Sequence, residues 1–217
     1  MVALQLSGLN KMLDYEQHLY SDKVKLILGT DEAGRGCLCG PVVAGAVILP
    51  KGFYHPLIND SKQLSEKQRE EAYKIIQENA LAIGVGMCSP EEIDEMNILN
   101  ASREAMMRAI KQIQIDYDYI LTDCMKLFDV DKPYEALVHG DALASCIAAA
   151  SIVAKVTRDH ICYELDKRYP EYQIAAHKGY VTKLHMEMLK KYGPIKKIYR
   201  FSYKPVKEVL TEKVKLF

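Results

Sequence analysis

Apolar positions recur along the chain at two spacings, and each spacing selects an element. Leu9, Leu13, Tyr15 and His18 follow helical spacing between Ser7 and Tyr20, which predicts a first helix. Lys25–Gly29 is a short apolar run that leads into the acidic pair Asp31 and Glu32, and it reads as a strand. Val42–Leu49, bounded by Pro41 and Pro50, is short and β-branched enough for a buried strand. Ser65 followed by Gln68 has the form of a capping box and opens a helix to about Asn79. Leu81–Met87 alternates as a third strand, and Pro90 suits the first turn of the next helix. A helix over Leu99–Gln114 precedes a fourth strand, Tyr119–Thr122, which delivers Asp123 at its end. A long helix is expected from Asp141 towards Lys167, stopped by Pro170, with Ala142, Ala144, Ala148, Ala149, Ala150 and Ala154 as a small-residue face for close packing. Thr182–Lys191 gives a further helix, ended by Gly193 and Pro194. Strands interleaved with helices, without repeat or linker, predict one α/β domain over residues 1–217. Its core runs to about residue 177, and a basic helical extension covers about 178–217.

Composition changes this picture in one respect. Lysines plus arginines and aspartates plus glutamates both number 29, so no global field attracts polyanions. Residues 178–217, however, hold 11 basic side chains against three acidic ones. The extension is suited to phosphates and the remainder, rich in acids, to divalent cations. Six cysteines lack any C-x-x-C pair and mostly sit among small apolar neighbours, which predicts buried thiols rather than zinc ligands or disulfides. No run approaches the ~18 apolar residues of a membrane span and no secretory signal pattern opens the chain. A cytoplasmic, monomeric protein is expected.

The candidate chemistry is carboxylate. Asp31 and Asp123 lie at strand ends, Glu32 is beside the first, and Asp141 opens the small-residue helix. Ligands gather at such ends in α/β sheets. Four carboxylates in one pocket repel one another unless a hard cation such as Mg²⁺ or Mn²⁺ compensates. Singly, each has a plainer reading as turn former or N-cap. Consecutive strand residues face opposite sides, so the Asp31–Glu32 pair is expected where the strand ends. Gly34-Arg35-Gly36-Cys37-Leu38-Cys39-Gly40 imitates a dinucleotide fingerprint, but Pro41 and a strand follow where that motif requires a helix. Glycines flanking an arginine suit close backbone approach to a ligand instead.

Several segments taken in order resemble ribonuclease HII, the bacterial type 2 ribonuclease H: Gly29-Thr30-Asp31-Glu32-Ala33-Gly34-Arg35-Gly36, Gly40-Pro41-Val42-Val43, Asn59-Asp60-Ser61-Lys62, Gly140-Asp141, Ala148 to Asp159, and His177-Lys178-Gly179-Tyr180. The resemblance implies a ribonuclease H-like mixed β-sheet flanked by helices. It implies a four-carboxylate site at Asp31, Glu32, Asp123 and Asp141 that binds two Mg²⁺ or Mn²⁺ ions. It further implies that the Gly34-Arg35-Gly36 backbone and Tyr180 recognise the ribonucleotide at an RNA-to-DNA junction, with Lys62 reaching a phosphate. Departures from the family pattern are Cys37, Cys39, Cys124 after Asp123, and Tyr199 before Arg200.

The expected function is an endoribonuclease acting on the RNA strand of RNA/DNA hybrids and 5′ of single ribonucleotides embedded in duplex DNA, leaving 3′-hydroxyl and 5′-phosphate ends. A glycosidase using two of the carboxylates is the enzymatic rival, disfavoured by the absence of Trp for sugar stacking; a non-cutting hybrid-binding protein is the other. His177 is expected to be a satisfied structural histidine. Lys155, Arg158 and Asp159, three and four apart on one helix, are expected to pair internally. The terminal Val214-Lys215-Leu216-Phe217 resembles short motifs that dock on sliding clamps, although an ordinary frayed tail is the plainer reading.

Overall fold

The computed structural model describes residues 15–214. Helix enters at residues 15–19, the part of the first expected helix that falls within the described residues. Five strands follow: β1 (Ile27–Ala33), β2 (Val42–Ile48), β3 (Ala82–Cys88), β4 (Tyr119–Asp123) and β5 (Tyr134–Leu137). They form one mixed sheet in the order β3-β2-β1-β4-β5. β2 runs antiparallel to both of its neighbours, β1 and β3, whereas β4 joins parallel to β1 and β5 parallel to β4. The helices are α1 (Glu66–Asn79), α2 (Pro90–Met96), α3 (Ile98–Lys111), α4 (Ser145–Arg168), α5 (Ile174–His177), α6 (Lys183–Tyr192) and α7 (Lys204–Val214).

Alternation along β2 divides the core. Val42, Ala44, Ala46 and Ile48 pack towards α3 with Ala101, Ala105, Met106 and Ala109. Val47 faces the other way, joining Ile76 of α1 and Ala148, Ile152 and Val153 of α4. The small-residue face of α4 does what its composition predicts. A Cβ on Gly29 would lie 2.2 Å from the Cys146 carbonyl carbon, and one on Gly45 would lie 2.4 Å from the Ala150 oxygen. Helix and sheet therefore approach to backbone contact over β1 and β2. α1 begins with the expected capping box between Ser65 and Gln68. A second box, Ser89 with Glu92, opens α2 around Pro90.

Three expectations are corrected. β1 starts and ends later than the apolar run Lys25–Gly29, reaching Ala33, so Asp31 and Glu32 belong to its last three residues, at the strand end as expected. Asp141 is outside the long helix: it occupies a separate 3₁₀ turn, Gly140–Ala142, because Ala144 is extended (φ −135°, ψ 128°) and breaks the path into α4. β5 was not expected at all, since its four residues Tyr134–Leu137 carry too little pattern to register. The C-terminal segment contributes a core of its own, in which Tyr199, Val206 and Val209 pack on Leu38, Cys39, Cys162 and Leu165. Among the described residues, no helix is long and apolar enough to cross a membrane.

Candidate active site

The site forms where β1 and β4 part. Their pairing ends at Thr30 opposite Thr122, so the next residue of each strand, Asp31 and Asp123, faces the opening. Beyond Thr30 only β2 still pairs with β1, with Asp31 opposite Gly45 and Glu32 opposite Ala44. This one-sided strand end lets two consecutive side chains line the same pocket. The Asp31 carboxylate folds back to accept the Glu32 amide at 2.7 Å, and Glu32 is tethered by Arg35 at 3.1 Å. Asp141 arrives from the 3₁₀ turn, which is held to β4 by the Gly140 amide donating to Asp123 Oδ1 at 2.8 Å.

Asp31, Asp123 and Asp141 each present a carboxylate oxygen, all within 4.8 Å of one another. Burial pushes the Asp31 carboxyl well above the usual aspartate range, and Glu32 and Asp123 push it further. Burial also raises Glu32, against the pull of Arg35, and raises Asp123, against the Gly140 amide. One cation answers the cluster directly: Lys62 Nζ reaches Asp141 Oδ2 at 2.9 Å, although its side chain is 75% exposed. Glu32 Oε2 is buried without a hydrogen-bond partner. A buried carboxylate oxygen whose lone pairs accept no hydrogen bond, beside three convergent aspartates, is a donor set for a hard divalent cation, and the site fits Mg²⁺ or Mn²⁺ on its own chemistry.

The pocket occupies about 490 Å³. Its lining combines the acids Asp31, Glu32 and Asp123 with the cations Lys62, Arg69 and Lys155, and Gly34, Arg35 and Tyr180 also line it. Gly36 stands exposed on the same corner. Arg69, Ser151 and Lys155 were not expected here. Arg69 Nη1 holds the carbonyls of Leu64 and Ser61 at 2.5 and 3.2 Å, fixing the turn that carries Lys62. Ser151 bonds Ser61 Oγ at 2.9 Å and the Asp31 carboxylate. Ser151 and Lys155 are four apart on α4, and that spacing on the helix behind the site was the available signal. Lys155 pairs with Asp159 at 2.6 Å as expected. Arg158 does not: it is fully buried and bonds backbone carbonyls instead, since adjacent residues on a helix do not face each other and Asp159 points elsewhere, to Lys155. His177 is satisfied internally, accepting the Gly179 amide at Nδ1 and facing the Tyr172 carbonyl with Nε2. Five cysteines are buried thiols and Cys124 is exposed; none is paired.

Known proteins resemble this chain in sequence and in fold. The family profile described as Ribonuclease HII matches residues 28–206. A Ribonuclease HII of Acholeplasma laidlawii is 49% identical over 200 residues, spanning 92% of this chain and 98% of that one. The crystal structure of ribonuclease H2 from Pyrococcus horikoshii superposes with a TM-score of 0.75 at 26% identity, covering 88% of this chain and 99% of its own. The ribonuclease HII in a PCNA complex from Archaeoglobus fulgidus gives a TM-score of 0.68 at 25% identity, covering 82% and 95%. The profile spans both strands that carry the aspartates and the turn that carries Asp141, and near-half identity runs over more than nine-tenths of both chains, so this chain belongs to the ribonuclease HII family and is a type 2 ribonuclease H.

Proposed function

We propose that the enzyme cleaves the RNA strand of RNA/DNA hybrids and the bond 5′ of single ribonucleotides embedded in duplex DNA, leaving 3′-hydroxyl and 5′-phosphate ends, and that it serves ribonucleotide removal from DNA as a cytoplasmic monomer. The observation that carries this is the convergence of three aspartate oxygens within 4.8 Å beside the unpartnered Glu32 Oε2. Two Mg²⁺ or Mn²⁺ ions held by Asp31, Glu32, Asp123 and Asp141 would supply an activated water and neutralise charge at the scissile phosphate. The carboxylates hold and orient; none is placed as a nucleophile. Lys62, freed from Asp141 when that carboxylate is otherwise occupied, is long and exposed enough to meet a backbone phosphate. The Gly34-Arg35-Gly36 backbone takes the ribose 2′-hydroxyl, a group that both donates and accepts. Tyr180 packs its half-exposed ring on the adjoining deoxyribose. Exposed lysines of the C-terminal segment grip phosphates without reading sequence.

The test is a labelled duplex carrying one ribonucleotide, incubated with Mg²⁺ or with chelator, with the product ends identified. Cutting in chelator or on all-DNA duplex, or binding without cutting in Mg²⁺, would sink the proposal. Tyr180→Ala should lose far more activity on that duplex than on a continuous hybrid, which offers no deoxyribose to pack on. A sliding clamp as partner is a second reading. It is favoured by the terminal Leu216-Phe217 motif, which lies outside the described residues, and by the PCNA complex formed by the Archaeoglobus relative. Removal of residues 214–217 should abolish clamp binding while leaving cleavage of short duplexes unchanged.

A further inference from the structure

The two substrate-reading segments proposed above are separated by more than 140 residues of sequence, yet one buried side chain ties them together. Arg158 of α4 is fully buried, and among the described residues no carboxylate lies within ion-pair distance of it. Its guanidinium is compensated by carbonyls from two segments. Nη2 donates to Cys39 at 3.1 Å and Nε to Pro41 at 3.3 Å, both at the glycine corner, while Nη1 donates to Lys178 at 2.8 Å, two residues before Tyr180. The corner and the loop also meet directly through the Leu38 amide on the Gly179 carbonyl at 2.8 Å.

The glycines explain why nothing else fits. Gly34, Gly40 and Gly179 all have positive φ (96°, 75° and 82°), and all three face this one guanidinium. A Cβ on Gly34 would lie 2.1 Å from Arg158 Nε, and one on Gly179 would lie 3.1 Å from Nη2 and 2.9 Å from the Cys39 oxygen. The Arg158 guanidinium carbon also lies 6.0 Å from the centre of the Tyr180 ring. An arginine is always charged and carries five N–H donors in a rigid fork. Buried without a counter-charge, it is held only while several carbonyls converge on it, so it specifies where those carbonyls stand.

We propose that Arg158 is a positioning residue that sets the separation between the Gly34-Arg35-Gly36 corner and Tyr180, and that this separation determines how strongly the enzyme prefers an embedded ribonucleotide. This rests on the reading of those two segments given above. Asp31, Asp123 and Asp141 are anchored apart from this hub, through Ser151, Gly140 and Lys62, and of the four carboxylates Glu32 alone is tied to the corner, by the half-exposed Arg35 side chain.

Two variants approach the hub from opposite sides. Arg158→Lys keeps the charge and three N–H donors, but these radiate from one nitrogen and do not reproduce the planar fork whose three separate nitrogens reach the two segments. Gly179→Ala leaves Arg158 intact and wedges the loop off the corner. For each, kcat/KM is measured on a duplex with one ribonucleotide and on a continuous hybrid, together with the Mg²⁺ concentration for half-maximal rate. Displacement of a substrate-orienting group by about 1 Å costs on the order of a hundredfold, so activity on the single ribonucleotide should fall by about that factor. Hybrid cleavage should fall by less than a tenth as much, with the Mg²⁺ requirement unchanged. Equal losses on both substrates, as a general weakening of the fold would give, overturn the inference. Should Arg158→Lys fail to fold, Gly179→Ala decides alone. Tyr180→Ala, run alongside, separates the two levels. If it leaves the substrate ratio unmoved, the junction reading falls and this inference with it; if it shifts the ratio while the two hub variants do not, only this inference falls.

Discussion

Replacing Asp31 by Asn tests the carboxylate cluster through stability as well as turnover. The amide keeps the shape and an acceptor for the Glu32 amide, which now bonds Asp31 Oδ1 at 2.7 Å. It removes a charge whose oxygen lies within 4.8 Å of both Asp123 and Asp141. At an effective dielectric of about 20, each such pair of full charges costs at least about 3.5 kcal/mol. A fully ionised triad would then carry on the order of 10 kcal/mol of repulsion, as much as the whole stability of an ordinary domain. Without a divalent cation the native protein avoids this by keeping a proton: burial first, and then the charges of Glu32 and Asp123, hold the Asp31 carboxyl well above the usual aspartate range.

The sign follows from proton binding. A carboxyl raised in the native state binds its proton where the unfolded chain has lost it, so native stability falls as pH rises from the ordinary aspartate value towards the raised one. Asn has no proton to keep. In chelator, the stability gap in favour of Asp31→Asn should open by about 1.4 kcal/mol per pH unit above pH 4, or about 3 to 6 °C of Tm per unit, and then level off. Mg²⁺ at a hundred times its Kd should raise the wild-type protein by about 2.7 kcal/mol and the variant by much less. Thermal melts at pH 5, 7 and 9, with and without Mg²⁺, measure both effects. A gap that stays flat with pH, or a variant stabilised by Mg²⁺ as fully as the wild type, would refute the cluster as the cation site.

Asp123→Asn and Asp141→Asn should each lower turnover by orders of magnitude at saturating Mg²⁺ with the fold intact by circular dichroism, since an amide keeps the outline but not the charge that holds a divalent ion. Lys196, Lys197 and Lys207 are exposed, and converting all three to Gln should flatten the plot of log affinity against log salt by up to about 0.9 per lost phosphate contact; an unchanged slope places them away from the duplex. His185 is buried, and desolvation first, with the neighbouring His177 second, lowers its pKa to about 4. Below the ordinary histidine value of about 6.5 the unfolded chain gains a proton that native His185 refuses, so stability is complete above pH 6.5 and declines by about 3 kcal/mol towards pH 4. Urea midpoints over that range should fall by about one proton less steeply in His185→Leu, and parallel curves would remove His185 from the acid limb.

What the sequence revealed and what it concealed divide by the range of the interactions. Patterns satisfied within a few residues were legible: the Ser65–Gln68 box, the apolar β-branched run of β2, and the alanine face of α4. So was the placement of Asp31 and Asp123, because strand ends in α/β sheets are where side chains meet an opening. The break before α4 was not, since Ala144 is an ordinary helix former whose extended conformation comes from outside the segment. The Cys146 amide in the first turn of α4 is taken by Glu16 at 2.9 Å, a carboxylate 130 residues away. Arg158 shows the same thing most clearly. Local spacing gave Asp159 to Lys155 and said nothing of Arg158's acceptors, the nearest of which in sequence is Lys178, 20 residues on, with the others 117 and 119 residues away.

The two failures share a physical origin and a place in the fold. Glu16 and Arg158 both attend α4, at its N-terminus and past its middle, and between them Ser151 and Lys155 face the pocket. A helix packed against two strands at backbone contact cannot shift to suit a ligand, so the loops around it must be fitted to the helix. Asp141 is fitted ahead of α4 by a separate 3₁₀ turn, and the glycine corner and the Tyr180 loop are fitted through a guanidinium that only positive-φ glycines can surround. Asp31, Glu32 and Asp123 were legible because their own strands deliver them. The groups proposed to tell ribose from deoxyribose were visible only by resemblance, because their positions are set by a side chain that binds backbone, and backbone carbonyls leave no mark on the sequence that presents them.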